Sequence, residues 1–495
     1  MAIAPTRMTI ARRSAAAAAG AAALWLTAGA TAVAAEAEGA PHLDGAELGI
    51  FWIVPFVGIL LSIALFPLFA PNFWHHNFGK VSAFWAFAFL IPFTIAFGFD
   101  LALYELIHVA LLEYLPFIIL LFALFTVSGG VRVTGRLKGT PGVNVAILFL
   151  GTVIASWMGT TGAAMLLIRP LLNANEDRRY KVHTVVFFIF LVANIGGSLS
   201  PLGDPPLFLG FLKGVSFFWP TVHMLAPMAL LSVALLVIYG VIESVLFARE
   251  GKHNKPGIGD DLEEAAHALT HLGVEGKVNI LLLAGVVAAV LLSGVWKPGV
   301  TFEIYHVPLE LQNVLREALL VGVALLSLWL TRNESRRANG FSWFPILEVA
   351  KLFAGIFITI VPAIAILRAG SAGALGVVVD AVTGADGQPV DAAYFWLTGI
   401  LSSFLDNAPT YLVFFNTASG DATALMTEHA GTLLAISAGA VFMGAVTYIG
   451  NAPNFMVRSI AEERGVKMPS FFGYMVWSIV LLMPLFGLTT LVFFL

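Results

Sequence analysis

Apolar stretches long enough to cross a bilayer, roughly 17 to 25 residues or more, recur along the chain at about 48–70, 81–99, 105–128, 182–212, 221–247, 278–296, 314–331, 346–368, 430–457 and 472–494. Each predicts a membrane-crossing helix. Two further stretches, 143–170 and 393–416, are apolar at both ends but interrupted at the centre, by SWMGTTG at 156–162 and SSFLDNAPT at 402–410. A helix, a break and a second helix in so short a span predict a re-entrant hairpin. The pattern therefore reads as ten crossings plus two hairpins.

The sharpest irregularity is NIGGSLSPLGDPPLF at 194–208, inside one of the predicted crossings. Pro201, Pro205 and Pro206 cannot continue a helix, because each lacks an N–H and the residue before each is pushed away from helical geometry. Broken backbone survives in hydrocarbon only where protein buries it or a polar cavity receives it. An acid such as Asp204 at that depth costs at least roughly 2.5 kcal/mol, and such acids mark ion or substrate paths.

A repeat relates the two halves. Ser156 matches Ser403 and Gly203 matches Gly450, both at an offset of 247, and GDPPLF (203–208) lies against GNAPNF (450–455). Each half then holds three helices, a hairpin, a broken helix and a final helix. That makes five crossings, an odd number, so the second half is expected to be inverted. The fold class is an all-α polytopic membrane protein with two inverted repeats. The first repeat spans 46–247 (scaffold helices 46–128, hairpin and broken helix 142–212), and 248–277 is a cytoplasmic linker. The second spans 278–495 (scaffold helices 278–368, hairpin and broken helix 392–461). Inverted repeats with discontinuous helices are a common carrier architecture, with the site at the repeat interface.

Charge supports this topology. With the first mature helix entering from outside, eighteen Lys and Arg fall in the expected cytoplasmic loops, Arg169, Arg178, Arg179 and Lys181 among them. Only Lys213, Lys297, Arg316 and Arg368 fall on the opposite side, as the positive-inside rule requires. The N-terminus carries Arg7, Arg12 and Arg13, then an Ala-rich stretch, then Ala32, Val33 and Ala34. Residues 1–35 thus read as a signal peptide or an uncleaved hydrophobic segment, and the mature termini are expected outside a bacterial inner membrane. The chain is 59% hydrophobic and 11% charged, which excludes a soluble domain of any size. It has no cysteine, which excludes disulfides, thiolate metal sites and cysteine nucleophiles. No P-loop, dinucleotide fingerprint or HExxH motif occurs, so neither ATP drive, covalent chemistry, a cofactor nor a nucleic-acid partner is expected, and the chain does not read as an enzyme.

Four breaks could form a site: 156–162, 198–204, 402–410 and 447–454. Each supplies carbonyls and small hydroxyl or amide side chains, Ser198 and Ser403 included, which are the hard oxygen ligands that alkali cations prefer. Asp204 and Asp406 lie in opposite halves with no Lys or Arg in any break. Two such carboxylates would hold protons unless a cation joined them, which is the condition for exchanging Na⁺ against protons. The plainer reading makes each aspartate a helix cap. Glu243, Glu317 and Glu348 read as interfacial. Arg368 could snorkel or meet an anion, His75 and His76 suit interface anchoring, and His183 could sense pH.

SPLGDPPLF (200–208), TTGAAMLLIRPLL (160–172), SSFLDNAPTYLVFF (402–415) and YIGNAPNFMVRSIAEE (448–463) together resemble the ion transporter superfamily, nearest to sodium/proton antiporters of the NhaD type and the related citrate transporter family. The resemblance implies a dimerising scaffold, hence a homodimer, and a mobile transport domain moving like an elevator. It implies Na⁺ ligands at Ser156, Thr160, Thr161, Ser200, Asp204, Asp406, Asn407, Thr447 and Asn451, with Asp204, Asp406 and Asn407 at the ion. Dicarboxylate symporters carry Ser-Asn-Thr in both hairpins where this chain has GTTG and DNAP, a departure that favours ion exchange. The expectation is a Na⁺/H⁺ antiporter, with a Na⁺- or H⁺-coupled citrate or dicarboxylate transporter as the alternative.

Overall fold

The computed structural model describes residues 41, 43–135, 137–250 and 273–495. Residues 1–35, and most of the 248–277 linker, lie outside them. Among the described residues the chain is almost wholly helical, with two small two-stranded antiparallel sheets, one pairing Arg132–Thr134 with Gly273–Glu275 and one pairing Thr301–Ile304 with Val307–Glu310. Nine helices among the described residues are long and apolar enough to cross a membrane, or ten if one bent pair counts as a span. It is an all-α polytopic membrane protein.

The first helices run without the loops that the sequence suggests. α1 (Val54–Phe69) is followed after one residue by α2 (Pro71–Phe97). Lys80, expected in a cytoplasmic loop, therefore sits inside α2, because Pro71 is suited to the first helical position and starts the helix early. Gly98, at φ +92, turns the chain into α3 (Phe99–Val109), which passes through a π-helical turn, Ala110–Tyr114, into α4 (Leu115–Ser128). Asp100 is thus in a helix rather than a loop.

Next come α5 (Pro141–Met158) and α6 (Thr160–Ala174), separated by Gly159 alone. At φ +80, Gly159 takes a conformation that a Cβ would strain. The chain doubles back there: a Cβ on Gly151 of α5 would meet Leu167 of α6 at 3.0 Å. α7 (Val182–Leu191) ends in a short 3₁₀ turn, Ile195–Leu199, and after an irregular link the chain resumes as α8 (Pro205–Leu212), then α9 (Trp219–Arg249).

The second half follows the same order: α10 (Val278–Val295), α11 (Leu311–Leu330), then α12 (Phe344–Thr359) and α13 (Val361–Arg368), bent by 42°. α14 (Asp391–Phe404) and α15 (Asn407–Thr417) form the second hairpin, with Tyr394 packed on Phe414. α16 (Ala430–Met443) breaks before α17 (Ala452–Glu463), and α18 (Phe471–Phe493) ends the chain.

Burial separates two roles for these helices. The window Val182–Leu199 is 89% buried, against 22% for α2 and for α11, so the broken helix is interior and the early helices are peripheral. Phe84, Phe87, Ile91 and Ile95 form one exposed apolar row on α2, and Val233, Val237 and Val241 another on α9. Such rows suit acyl chains. The early helices of the halves pack on each other: the Ser82 hydroxyl donates to the Lys351 carbonyl at 2.6 Å, and Phe117 stacks on Phe353. The inner elements interlock crosswise, α6 against α17 and α8 against α15.

The 247-residue offset reappears in atomic contacts. The Ser200 hydroxyl donates to the Ser156 carbonyl, and the Thr447 hydroxyl donates to the Ser403 carbonyl. A Cβ on Gly203 would lie 2.0 Å from the Gly197 carbonyl oxygen, and one on Gly450 would lie 2.6 Å from that of Gly444. In both halves the chain crosses itself at a glycine pair where no side chain fits.

A buried ionic cluster braces one face. Glu243, expected at an interface, is fully buried and accepts from Arg178 at 2.5 Å, Asn144 at 2.9 Å and His183 at 2.5 Å. Packing of α5, α7 and α9 encloses it, which hydropathy along one helix does not reveal.

Gly203→Ala is expected to destabilise the protein by about 3 kcal/mol or more, above the usual range for overpacking, because backbone stands where the methyl must go. Gly322→Ala, which meets open space, is the control. Thermal unfolding of both variants in detergent measures the difference.

Candidate functional site

The breaks converge on one carboxylate. Asp204 precedes α8 with extended backbone and makes no side-chain cap. Its Oδ2 instead accepts from the Asn407 amide at 2.6 Å, while Oδ1 accepts from the Asn451 amide at 3.0 Å and the Thr160 hydroxyl at 3.1 Å. Two of these three donors come from the other half. Asp204 is 1% exposed, and among the described residues no Lys or Arg pairs with it.

Each partner stands at a helix start: Thr160 opens α6, Asn407 opens α15 and Asn451 precedes α17, while Asp204 itself precedes α8. Four N-termini thus gather at the carboxylate. Their dipoles supply partial positive charge, so among the described residues the acid is held by amides, a hydroxyl and helix dipoles.

Other predicted residues hold the scaffold of the site. The Ser156 hydroxyl donates to the Gly196 carbonyl at 2.5 Å and accepts from the Leu199 amide at 2.9 Å. The Ser200 hydroxyl accepts from the Leu202 amide, and Thr447 accepts from Ile449 and Gly450. Ser403 donates to the Gly399 and Met443 carbonyls, and Ser198 to the Ile195 carbonyl. These hydroxyls satisfy backbone that the breaks release. Thr161 lies half-buried on the cavity wall.

Asp406 is the cap of α15, accepting from the Ala408 amide at 3.1 Å. The hydrogen bond to Asp204 comes from its neighbour Asn407. The two acids therefore divide between a hub and a cap. Two amides not singled out in the sequence complete the cluster. Asn194 donates to Asn454 at 2.7 Å and accepts from Asn451 at 3.2 Å, and Asn454 donates to the Gly444 and Thr447 carbonyls. Their signal was present, an amide in a run otherwise apolar, but the partner lies 260 residues away.

Two features describe what the cluster can hold. The side-chain oxygen of Asn407 is buried with no hydrogen-bond partner among the described residues, so an unmet acceptor stands beside the carboxylate. A cavity of about 90 Å³ opens at the break tips. Its lining is mainly apolar: Thr160, Thr161 and Asp204 stand at the break side among Leu202, Pro205 and Phe208, and Phe117, Leu120 and Leu124 of α4 with Ile346 and Val349 of α12 complete it.

Interrupted helices enclosing a buried polar centre in a multi-pass membrane protein are an architecture of membrane transporters, and the family match places this chain in that class. The chain belongs to the family described as "Putative citrate transport", whose profile matches residues 45–494. It is 26% identical over 380 residues to an uncharacterized transporter of Mycobacterium tuberculosis and, to the same extent, to one of Mycobacterium bovis, covering 72% of this chain and 80% of each relative.

Thr160→Val keeps shape but removes one of the three donors to Asp204. With the carboxylate ionised, the loss is expected to cost about 1.5–3 kcal/mol, the range for hydrogen bonds to charged groups. A lowered unfolding temperature in detergent at alkaline pH, where the carboxylate is ionised, checks it.

Proposed function

We propose that this transporter is a secondary carrier that binds Na⁺ at Asp204 and exchanges it for protons. The observation that carries this reading is the unmet Asn407 oxygen beside a buried carboxylate that has no basic partner among the described residues. A monovalent cation offers both oxygens the charge they need, and a proton on Asp204 neutralises the site when the cation leaves. The two occupants compete for one group, and that competition couples the two fluxes. The cavity also suits a small ion: about 90 Å³ is the share of roughly three water molecules in the liquid. Asp406 would act on the site by holding the start of α15, and with it Asn407.

In this reading the inner elements, α5–α8 with α14–α17, move as one inverted-repeat body against α4 and α12. The apolar wall that α4 and α12 present offers few directional bonds to such sliding. The scaffold would form the contact of a homodimer in a bacterial inner membrane.

A second reading rests on two observations, the family match and the helix N-termini at the cavity. Here Na⁺ or H⁺ at Asp204 drives a small organic anion such as citrate, whose carboxylates the N-termini of α6, α8 and α17 receive.

In proteoliposomes, wild-type protein is expected to dissipate an imposed pH gradient on addition of Na⁺, and Asp204→Asn to do so at least tenfold more slowly. Full activity in Asp204→Asn refutes the proton–cation exchange. Uptake of radiolabelled citrate dependent on a Na⁺ gradient, with no Na⁺-driven proton flux in its absence, establishes the second reading instead.

A further inference from the structure

The polar cluster at Asp204 is not the largest recess. A cavity of about 860 Å³ opens on the face assigned to the cytoplasm, among the ends of α6 and α17, the strand Arg132–Thr134 and the segment 137–140. Five cations line it: Arg132, Lys138, Arg169, Arg178 and Arg464. Two acids, Glu176 and Asp177, share the lining, and Glu243, Glu250 and Glu275 pair with Arg178 and Arg132, so the basic groups outside these pairs are Lys138, Arg169 and Arg464.

Retention of positive charge on the cytoplasmic side accounts for basic residues there, but it does not account for their arrangement. Arg178 is 5% exposed. Its Nη1 donates to Glu243 and the Gly139 carbonyl, and its Nε to Glu250. Its Nη2 is buried with no hydrogen-bond partner among the described residues. Nη1 of Arg169 is in the same condition. Arg169 also lies against Gly340, where a Cβ would come within 2.1 Å of its Nη2, so its guanidinium is lodged in a fixed place. Arg464 is tied to the end of α6 by a 2.9 Å bond to Asn173. Arg132 faces Glu275 at 3.3 Å, an exposed pair.

Unmet buried donors on fixed guanidinium groups require an acceptor-rich partner. Guanidinium forks match phosphate and carboxylate oxygens. The volume exceeds what one inorganic ion fills, and the cavity lies within the size range of small-molecule sites, about 300–1,000 Å³. We infer that this cavity is a binding site for an anion carrying two phosphate groups, received by Arg169, Arg178 and Arg464. The chemistry is shared by a diphosphate lipid headgroup such as that of cardiolipin, for which basic pockets at the cytoplasmic side of membrane helices are suited, and by a soluble di- or triphosphate.

The site is distinct from the Asp204 cluster but touches the same helices. α6 begins at Thr160 and carries Arg169; α17 begins after Asn451 and is followed by Arg464. An anion bound between Arg169 and Arg464 would clamp the far ends of two helices whose near ends hold Asp204.

The test uses the full chain purified in detergent and stripped of lipid. Native mass spectrometry and thermal unfolding are recorded with cardiolipin, with the zwitterionic lipid phosphatidylcholine, and with ATP or pyrophosphate. Saturable binding of cardiolipin but not phosphatidylcholine assigns the site to a lipid; saturable binding of ATP or pyrophosphate assigns it to a soluble ligand. In either case Arg169→Gln/Arg464→Gln should weaken binding at least tenfold, and high salt should weaken it in wild type. Arg464→Gln alone, at an exposed position, keeps the test meaningful should the double variant fold poorly, with a several-fold loss expected. Equal binding in wild type and variants, or no saturable binding of any phosphate probe, overturns the inference. Neither outcome bears on Na⁺-driven proton flux, so this result and that of the exchange assay remain separable.

Discussion

A carboxylate enclosed by protein and surrounded by lipid has to be neutralised, hydrogen-bonded or matched by a cation, because leaving it bare costs several kcal/mol. Asp204 meets this constraint with amides and a hydroxyl from three helix starts. Most of the inner architecture follows from keeping those starts in place. Helices must stop and restart in the interior, their released backbone groups must be satisfied there, and chains must cross closely enough to bring the starts together. The glycine pairs 197/203 and 444/450 permit the crossing, and the hydroxyls of Ser156, Ser200, Ser403 and Thr447 occupy the released carbonyls and amides.

The same arrangement makes the centre polar without fixed positive charge. Dipoles and amides stabilise an anion less than a lysine would. A buried arginine beside Asp204 would have produced a permanent ion pair and a static structure. Elsewhere among the described residues buried acids are paired with bases: Glu243 joins Arg178 and His183, and Lys213 holds Glu113 across the π-helical turn at 2.5 Å.

The division of the molecule into outer helices and inner broken elements was legible in the residues. Runs of about 20 apolar positions set the outer helices, and Pro205–Pro206, Gly159 and the Asp406–Pro409 segment placed the breaks. Helix boundaries at 70–71 and 98–99 were not, since one residue with unusual dihedrals replaced the polar loop that sequence reading expects. The burial of Glu243 was equally hidden, because a glutamate near the end of an apolar segment looks the same whether it meets headgroups or a partner helix.

Covalent order alone determined that this chain spans a membrane many times, that it repeats itself at an offset of 247 residues, and that acids and hydroxyls interrupt its apolar segments at matching places. Those are properties of composition and spacing, which hydrocarbon and backbone geometry translate directly into helices and breaks. Tertiary structure decided which of two similar aspartates became the hub. Asp204 is reached by Asn407 and Asn451 from the other half, whereas Asp406 spends its oxygen on the amide two residues along. The choice depends on the crosswise packing of α6 on α17 and α8 on α15, a relation between residues some 250 positions apart that no local pattern encodes.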